Sequence, residues 1–160
     1  MSKILVIGAG GQLGTELTKA LADKYGKSSV IATDFQASVS SKFDYCAFQT
    51  LNVMDKDSLT SIVKNEGVTQ IYHLAAILSA LGEKNPVQAW DLNMGGLLNV
   101  LEVARDHKID KVFWPSSIAV FGPSSEKERT PQNAFKDPNT IYGISKLSGE
   151  HWCEYYFNKY

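Results

Sequence analysis

The stretch "KILVIGAGGQLG", residues 3 to 14, decides how the rest of the chain is read. Its first six residues form a short apolar, β-rich run that ends on glycine, the pattern of a strand buried on both faces. After "GAGGQLG" (8 to 14), Leu13, Leu17 and Leu21 recur at every fourth position until Gly26, which reads as a helix closed by a C-terminal glycine. Strand, tight turn and helix are therefore expected in that order. The turn has glycine at 8, 10, 11 and 14. The common dinucleotide spacing G-x-G-x-x-G would need glycine where Leu13 stands, so the spacing that fits is G-x-x-G-x-x-G through Gly8, Gly11 and Gly14. These positions serve a tight turn, close backbone approach to a pyrophosphate, and close packing of helix on sheet. The free N–H groups and dipole at the helix start then favour a phosphate. Asp34 follows the second strand, 20 positions after Gly14. A carboxylate there accepts hydrogen bonds from both adenosine ribose hydroxyls and repels a 2′-phosphate, so NAD is expected in preference to NADP.

Outward from this unit, strands and helices alternate. "SSVIATD" (28 to 34), "YCAFQTLNV" (45 to 53), "VTQIYHLAA" (68 to 76) and "IDKVFWPSS" (109 to 117) read as strands. "DKDSLTSIVKNEG" (55 to 67) and residues 86 to 107 read as helices, the first with acidic and hydroxyl groups in its opening turn. Such alternation implies right-handed crossovers and a mainly parallel, doubly wound α/β sheet. Residues 122 to 140 contain three of the five prolines and read as a long loop, of a size that is often functional in ordered proteins. Residues 141 to 160 read as a final helix. The length suits one domain spanning 1 to 160.

Bulk properties exclude several classes of function. Sixteen Lys and Arg against 17 Asp and Glu give a net charge of −1 with no run of one sign, so no nucleic-acid or membrane partner is expected. Cys46 and Cys153 stand in no CxxC or metal-ligand spacing. They are expected to be buried thiols of a reducing compartment, and no metal is expected. The chain enters its first strand at once, without a signal or membrane segment, which makes the cytoplasm the default location.

A second motif lies in "YGISK", residues 142 to 146. Tyr142 and Lys146 are four apart and share one helix face. A nearby ammonium favours phenolate and lowers a tyrosine pKa that is about 10 in model compounds, which suits a general base. Upstream, the strand ending in "PSS" offers the hydroxyls of Ser116 and Ser117, either of which could hold a substrate alcohol against the tyrosine oxygen while a nicotinamide accepts hydride.

Taken together, "GAGGQLG", "HLAA", "NMGG", "PSSIAVFG" and "YGISKLSGEHWCEYY" resemble the extended short-chain dehydrogenases/reductases, in which Ser, Tyr and Lys form the catalytic set. "HLAAILSALGEKNPVQAWDLNM" and "KVFWPSSIAVFGP" resemble more narrowly the NAD-dependent L-threonine 3-dehydrogenases. The resemblance runs from Lys3 to Tyr160. It implies a Rossmann-type sheet and the oxidation of L-threonine by NAD to 2-amino-3-oxobutyrate. Tyr142 would remove the hydroxyl proton, Lys146 would lower the tyrosine pKa and bind the nicotinamide ribose, and Ser117 would be the hydroxyl donor with Ser116 its neighbouring rival. Gln12 and Leu13 would contact the pyrophosphate, and Leu74, Ala75 and Ala76 would line the cofactor cleft. Ser79 would contact substrate, and Asn93 would help to order the active site. Asn52 stands where relatives often have aspartate near the adenine, a change expected to have a modest effect. Members of this group continue into further strands and a small C-terminal substrate domain, so the chain reads as the nucleotide-binding part, truncated before that domain. A sugar-nucleotide epimerase or dehydratase, and an inactive nucleotide-binding module, are the competing readings.

Other residues have simpler expectations. His73 lies in an apolar strand and reads as packed core. Trp90, Trp114, Trp152 and the run "WCEYYF" read as packing residues rather than a platform for bases. The helix at 86 to 107 is apolar on more than one side through Leu97, Leu98, Val100, Leu101 and Val103. That surplus face suits either a homodimer contact or burial beneath the last helix.

Overall fold

The computed structural model describes residues 2–160. In chain order the elements are β1 (Ile4–Ile7), α1 (Gln12–Tyr25), β2 (Val30–Asp34), β3 (Ala47–Thr50), α2 (Lys56–Glu66), β4 (Gln70–His73), α3 (Ser79–Gly82), α4 (Pro86–Trp90), α5 (Gly96–Asp106), β5 (Lys111–Phe113) and α6 (Ile141–Lys159). They form two compact units. The first comprises the residues up to Ala75 together with Gly96–Pro115; the second comprises Ala76–Gly95 with Ser116–Tyr160.

The first unit is a five-stranded sheet in the order β3-β2-β1-β4-β5, every neighbouring pair parallel. Side chains alternate across a strand, and both sides of β1 are apolar. Ile4 and Val6 pack with Leu21 and Ala22 of α1, with Val30 and Ala32, and with Phe43. Leu5 and Ile7 pack on the opposite face with Leu59, Ile62 and Val63 of α2 and Val100 and Val103 of α5. Helices on both faces make the sheet doubly wound, as its continuous apolar runs require. The strand order reverses between β1 and β4, and ligands of such sheets bind beyond the carboxyl ends of the strands at that point. The start of α2 is capped by Asp55, whose Oδ1 accepts from the Ser58 N–H at 3.0 Å, and the helix ends at Gly67, with φ 65°.

In the second unit, α6 starts at a Thr140 cap whose Oγ1 accepts from the Gly143 N–H at 3.0 Å. The expected loop at 122 to 140 is folded upon itself. Buried Ser125 accepts from the Gly122 N–H at 3.0 Å and donates to the Phe135 carbonyl at 2.7 Å. Asp137 accepts from the Ser124 N–H at 2.9 Å. The charged "SEKERT" stretch is exposed except for Ser125.

Several expectations need correction. All five strands are shorter than the apolar runs suggested. A 3₁₀ turn over Ala37–Phe43 follows β2, and the expected helix at 86 to 107 contains a π-helical turn, Asp91–Gly95. Of the helix's apolar residues, Leu97, Val100, Leu101 and Val103 are buried, Val100 and Val103 against the sheet and α2, while Leu98 is half-buried. Cys46 and Cys153 are free but only half-buried. His73 is fully buried, as expected of core. Trp152 packs edge-on to Tyr155, with ring centroids 6.0 Å apart. Among the described residues no helix is long and apolar enough to cross a membrane.

Gly14 fixes how α1 meets β1: a Cβ there would stand 2.3 Å from the Gly8 carbonyl oxygen and 2.7 Å from Ala9 Cα. At Gly11 the nearest atom would be 3.6 Å away. Gly14→Ala is therefore expected to lower unfolding free energy by about 1–3 kcal/mol, the usual cost of overpacking, and Gly11→Ala by clearly less. Urea unfolding of the two variants side by side measures the difference, and equal losses would contradict the packing argument.

Candidate active site

The first unit holds the glycine turn at the switch point. Gly8 leaves β1 with φ +81°, and a Cβ on it would lie 2.6 Å from the Ala75 backbone nitrogen, so the ends of β1 and β4 come together only because residue 8 has no side chain. Leu74 N–H donates to the Ile7 carbonyl at 2.8 Å, which brings Leu74 and Ala75 to the same edge. Gly11, Gln12 and Leu13 are exposed at the start of α1, with Leu13 68% accessible. The first N–H groups of a helix have no partner inside it, so this exposed helix start suits a diphosphate.

Asp34 ends β2 almost buried, 8% exposed. Its Oδ2 accepts from the Gly10 N–H at 2.9 Å and its Oδ1 from the Gln36 N–H at 3.0 Å. Two backbone donors hold the carboxylate in place, and each oxygen keeps a further lone pair for a ribose hydroxyl. These residues fit the adenosine and diphosphate parts of NAD. Asn52 lies exposed after β3 and accepts the Met54 N–H on its own Oδ1 at 3.0 Å, so its side chain shapes that turn.

The second unit holds the tyrosine helix. Tyr142 and Lys146 lie on the first turns of α6, with Lys146 Nζ 5.6 Å from the centre of the tyrosine ring. Tyr142 is half-buried and Lys146 only 3% exposed. Burial pushes the lysine ammonium down to about 8. Asn93, 2% exposed in the π-helical turn, braces the helix. Its Oδ1 accepts from the Ile77 N–H at 2.8 Å, and its Nδ2 donates to the Ile77 carbonyl at 3.0 Å and to Ser145 Oγ at 3.3 Å. Ser145 in turn donates to the Tyr142 carbonyl at 2.7 Å. A π-turn in an otherwise α-helical stretch often marks a functional position, and here it carries Asn93. Ala76 begins this unit and Ser79 opens α3, half-buried.

The adjacent serines differ in their partners. Ser116 Oγ donates to Glu150 Oε1, and Lys136 binds the other oxygen of the same carboxylate at 2.5 Å. Ser117 Oγ accepts from the Ala119 N–H at 3.2 Å, as the cap of the short turn Ile118–Val120. A hydroxyl that accepts from the backbone keeps its own proton to donate.

Sequence reasoning missed Glu150, Lys136 and Gly10. Glu150 was within reach of it, because the i, i+4 spacing that joins Tyr142 to Lys146 continues to 150 on the same helix face.

A parallel sheet of order 3-2-1-4-5 with a glycine turn at its switch point, in a chain that also carries a Tyr-x-x-x-Lys helix, defines an extended short-chain dehydrogenase/reductase domain. Residues 4–160 match the NAD dependent epimerase/dehydratase family, and the chain belongs to it. The cofactor of that family, NAD, is the one that the glycine turn and Asp34 anticipate. Among solved structures, the GalE-like L-threonine dehydrogenase from Cupriavidus necator in its holo form is 48% identical with a TM-score of 0.95, covering 98% of this chain and 51% of that one. The L-threonine dehydrogenase from Clostridium difficile is 46% identical with a TM-score of 0.93, covering 99% and 50%. An uncharacterized epimerase/dehydratase of Staphylococcus haemolyticus is 45% identical over 161 residues, all of this chain and 50% of its own. The chain spans about half the length of the curated relatives it matches.

Lys146 yields a test by pH. A lysine with a depressed folded-state pKa binds fewer protons folded than unfolded between about 8 and its ordinary value of 10.5. Its burial cost is therefore full below pH 8 and is relieved as pH rises through that window. Lys146→Met is expected to be more stable than the parent at pH 7 by up to about 3 kcal/mol, with the advantage shrinking as pH approaches 10. Urea midpoints at the two pH values measure it; a variant less stable at pH 7 would contradict the account.

Proposed function

We propose that the chain is the nucleotide-binding and acid–base part of an NAD-dependent oxidoreductase that oxidises L-threonine to 2-amino-3-oxobutyrate. The observation that carries the substrate is the 48% identity, across 98% of the chain, to an L-threonine dehydrogenase. The chemistry is carried by the chain's own residues. Tyr142 takes the proton of the substrate's β-hydroxyl, and Lys146 stands beside it with Nζ 5.6 Å from the centre of the tyrosine ring. Ser117 donates its O–H to the same substrate oxygen, because its lone pair is already engaged with Ala119 and its proton is not. Ser116 is occupied by Glu150 and serves the framework. Asn93 and Ser145 fix the backbone on either side of this set. NAD, when bound, supplies the acceptor for the hydride that leaves the carbon bearing that hydroxyl.

The family's own description favours a second reading, a sugar-nucleotide epimerase or dehydratase on the same residues. One assay separates the two. NADH absorbance is followed with NAD and L-threonine, and the expected result is NADH formation that falls by about a hundredfold or more in Tyr142→Phe, the usual worth of a general base. Ser117→Ala is expected to lose far more rate than Ser116→Ala. Binding of a UDP-sugar, with no NADH formed from threonine, selects the epimerase reading. NAD binding with neither activity selects an inactive nucleotide-binding module.

A further inference from the structure

Asp34 has a charged counterpart across a single residue. Gly10 donates its N–H to Asp34 Oδ2 at 2.9 Å, and its carbonyl accepts from Lys42 Nζ at 3.1 Å. The 3₁₀ turn Ala37–Phe43, which carries Lys42, lies directly against the glycine turn: a Cβ on Gly10 would stand 2.8 Å from Asp34 Oδ2 and 2.9 Å from Val39 Cγ2. Phe43, next to Lys42, is 1% exposed and stacked on Phe48 with ring centroids 5.7 Å apart, so the turn is rooted in the core while the lysine itself is exposed. A carboxylate suited to ribose hydroxyls and an exposed ammonium thus share one small patch beside the helix start that suits a diphosphate. The carboxylate repels a 2′-phosphate. The ammonium attracts one, and a lysine on a flexible stem meets a phosphate without needing fixed geometry.

We propose that Lys42 is a cofactor-specificity residue, which moderates the exclusion of a phosphorylated adenosine ribose by Asp34 and becomes the partner of that phosphate once the carboxylate is neutralised. The proposal rests on the reading that the glycine turn binds a dinucleotide. On this view the preference for NAD is a balance between two opposite charges, and a single substitution at Asp34 is enough to shift it toward NADP.

The test isolates the adenosine end of the cofactor. Binding of AMP and of adenosine 2′,5′-bisphosphate is measured by calorimetry on the full chain, its Lys42→Met and Lys42→Arg variants, Asp34→Asn, and the double variant Asp34→Asn with Lys42→Met. The quantity read is the affinity for the bisphosphate relative to AMP. Asp34→Asn is expected to raise this ratio, and Lys42→Met to lower it by roughly tenfold in the Asp34→Asn background, the worth of one charge-assisted hydrogen bond. In the parent background Lys42→Met lowers it less, and Lys42→Arg retains it. The parent pair stands by itself if Asp34→Asn fails to fold. A ratio indifferent to Lys42 in the folded backgrounds overturns the proposal, and so does an equal loss of both nucleotides, which would assign the lysine to the 5′-phosphate. Failure of every variant to bind either nucleotide removes the dinucleotide reading and the proposal with it.

Discussion

The absence of a side chain at residue 8 is the constraint on which the first unit depends. A parallel sheet whose strand order reverses at its centre must bring the ends of two strands, β1 and β4, to one edge, and here the backbone of Ala75 comes so close to Gly8 that any Cβ would collide with it. The same crowding continues into α1, where Gly14 sits on the carbonyls of residues 8 and 9. At the end of this crowded turn, Gly11 to Leu13 are exposed at the start of a helix. Such a surface suits a diphosphate, whose charge is met by N–H groups and the helix dipole.

In the second unit, stability is given up at one position and recovered around it. Burying Lys146 disfavours its ammonium, yet the side chain is held 5.6 Å from the centre of the Tyr142 ring. The surroundings hold the arrangement through polar contacts. Asn93 satisfies both backbone groups of Ile77, and with Ser145 it ties the π-helical turn to the first turn of α6. Buried amide contacts of this kind are costly to leave unmade, which is why they fix one geometry rather than several.

How much of this was legible in the sequence depended on the range of the interactions. The parallel, doubly wound sheet was readable because β1 and the first residues of β2 are apolar, and because α1 and α2 repeat leucine or isoleucine at helical spacing. The glycine turn and Asp34 were readable for a similar reason, since their spacing is set by local geometry. The turn Ala37–Phe43 was not, because "ASVSSKF" has no periodicity and is held by Phe43 packing on Phe48. Nor was the π-turn, because one additional residue per turn leaves the apolar pattern of residues 86 to 106 unbroken to the eye. Strands came out short wherever the apolar run continued past the last paired residue, as at Leu51 and Val53, which are buried beyond the end of β3.

The two serines mark the limit of what adjacency in sequence can decide. Ser116 and Ser117 are chemically identical and follow each other in an extended segment, where successive side chains point to opposite sides. Their difference is created by Glu150, 34 positions from Ser116, and by Lys136, which pairs with the same carboxylate. That carboxylate draws one hydroxyl into the framework, while the cap at Ala119 occupies a lone pair of the other and spares its proton. A resemblance to other sequences can indicate Ser117, but only the fold supplies a physical reason: of two adjacent donors, the one whose hydrogen is not already given to a carboxylate is the one that can give it to a substrate.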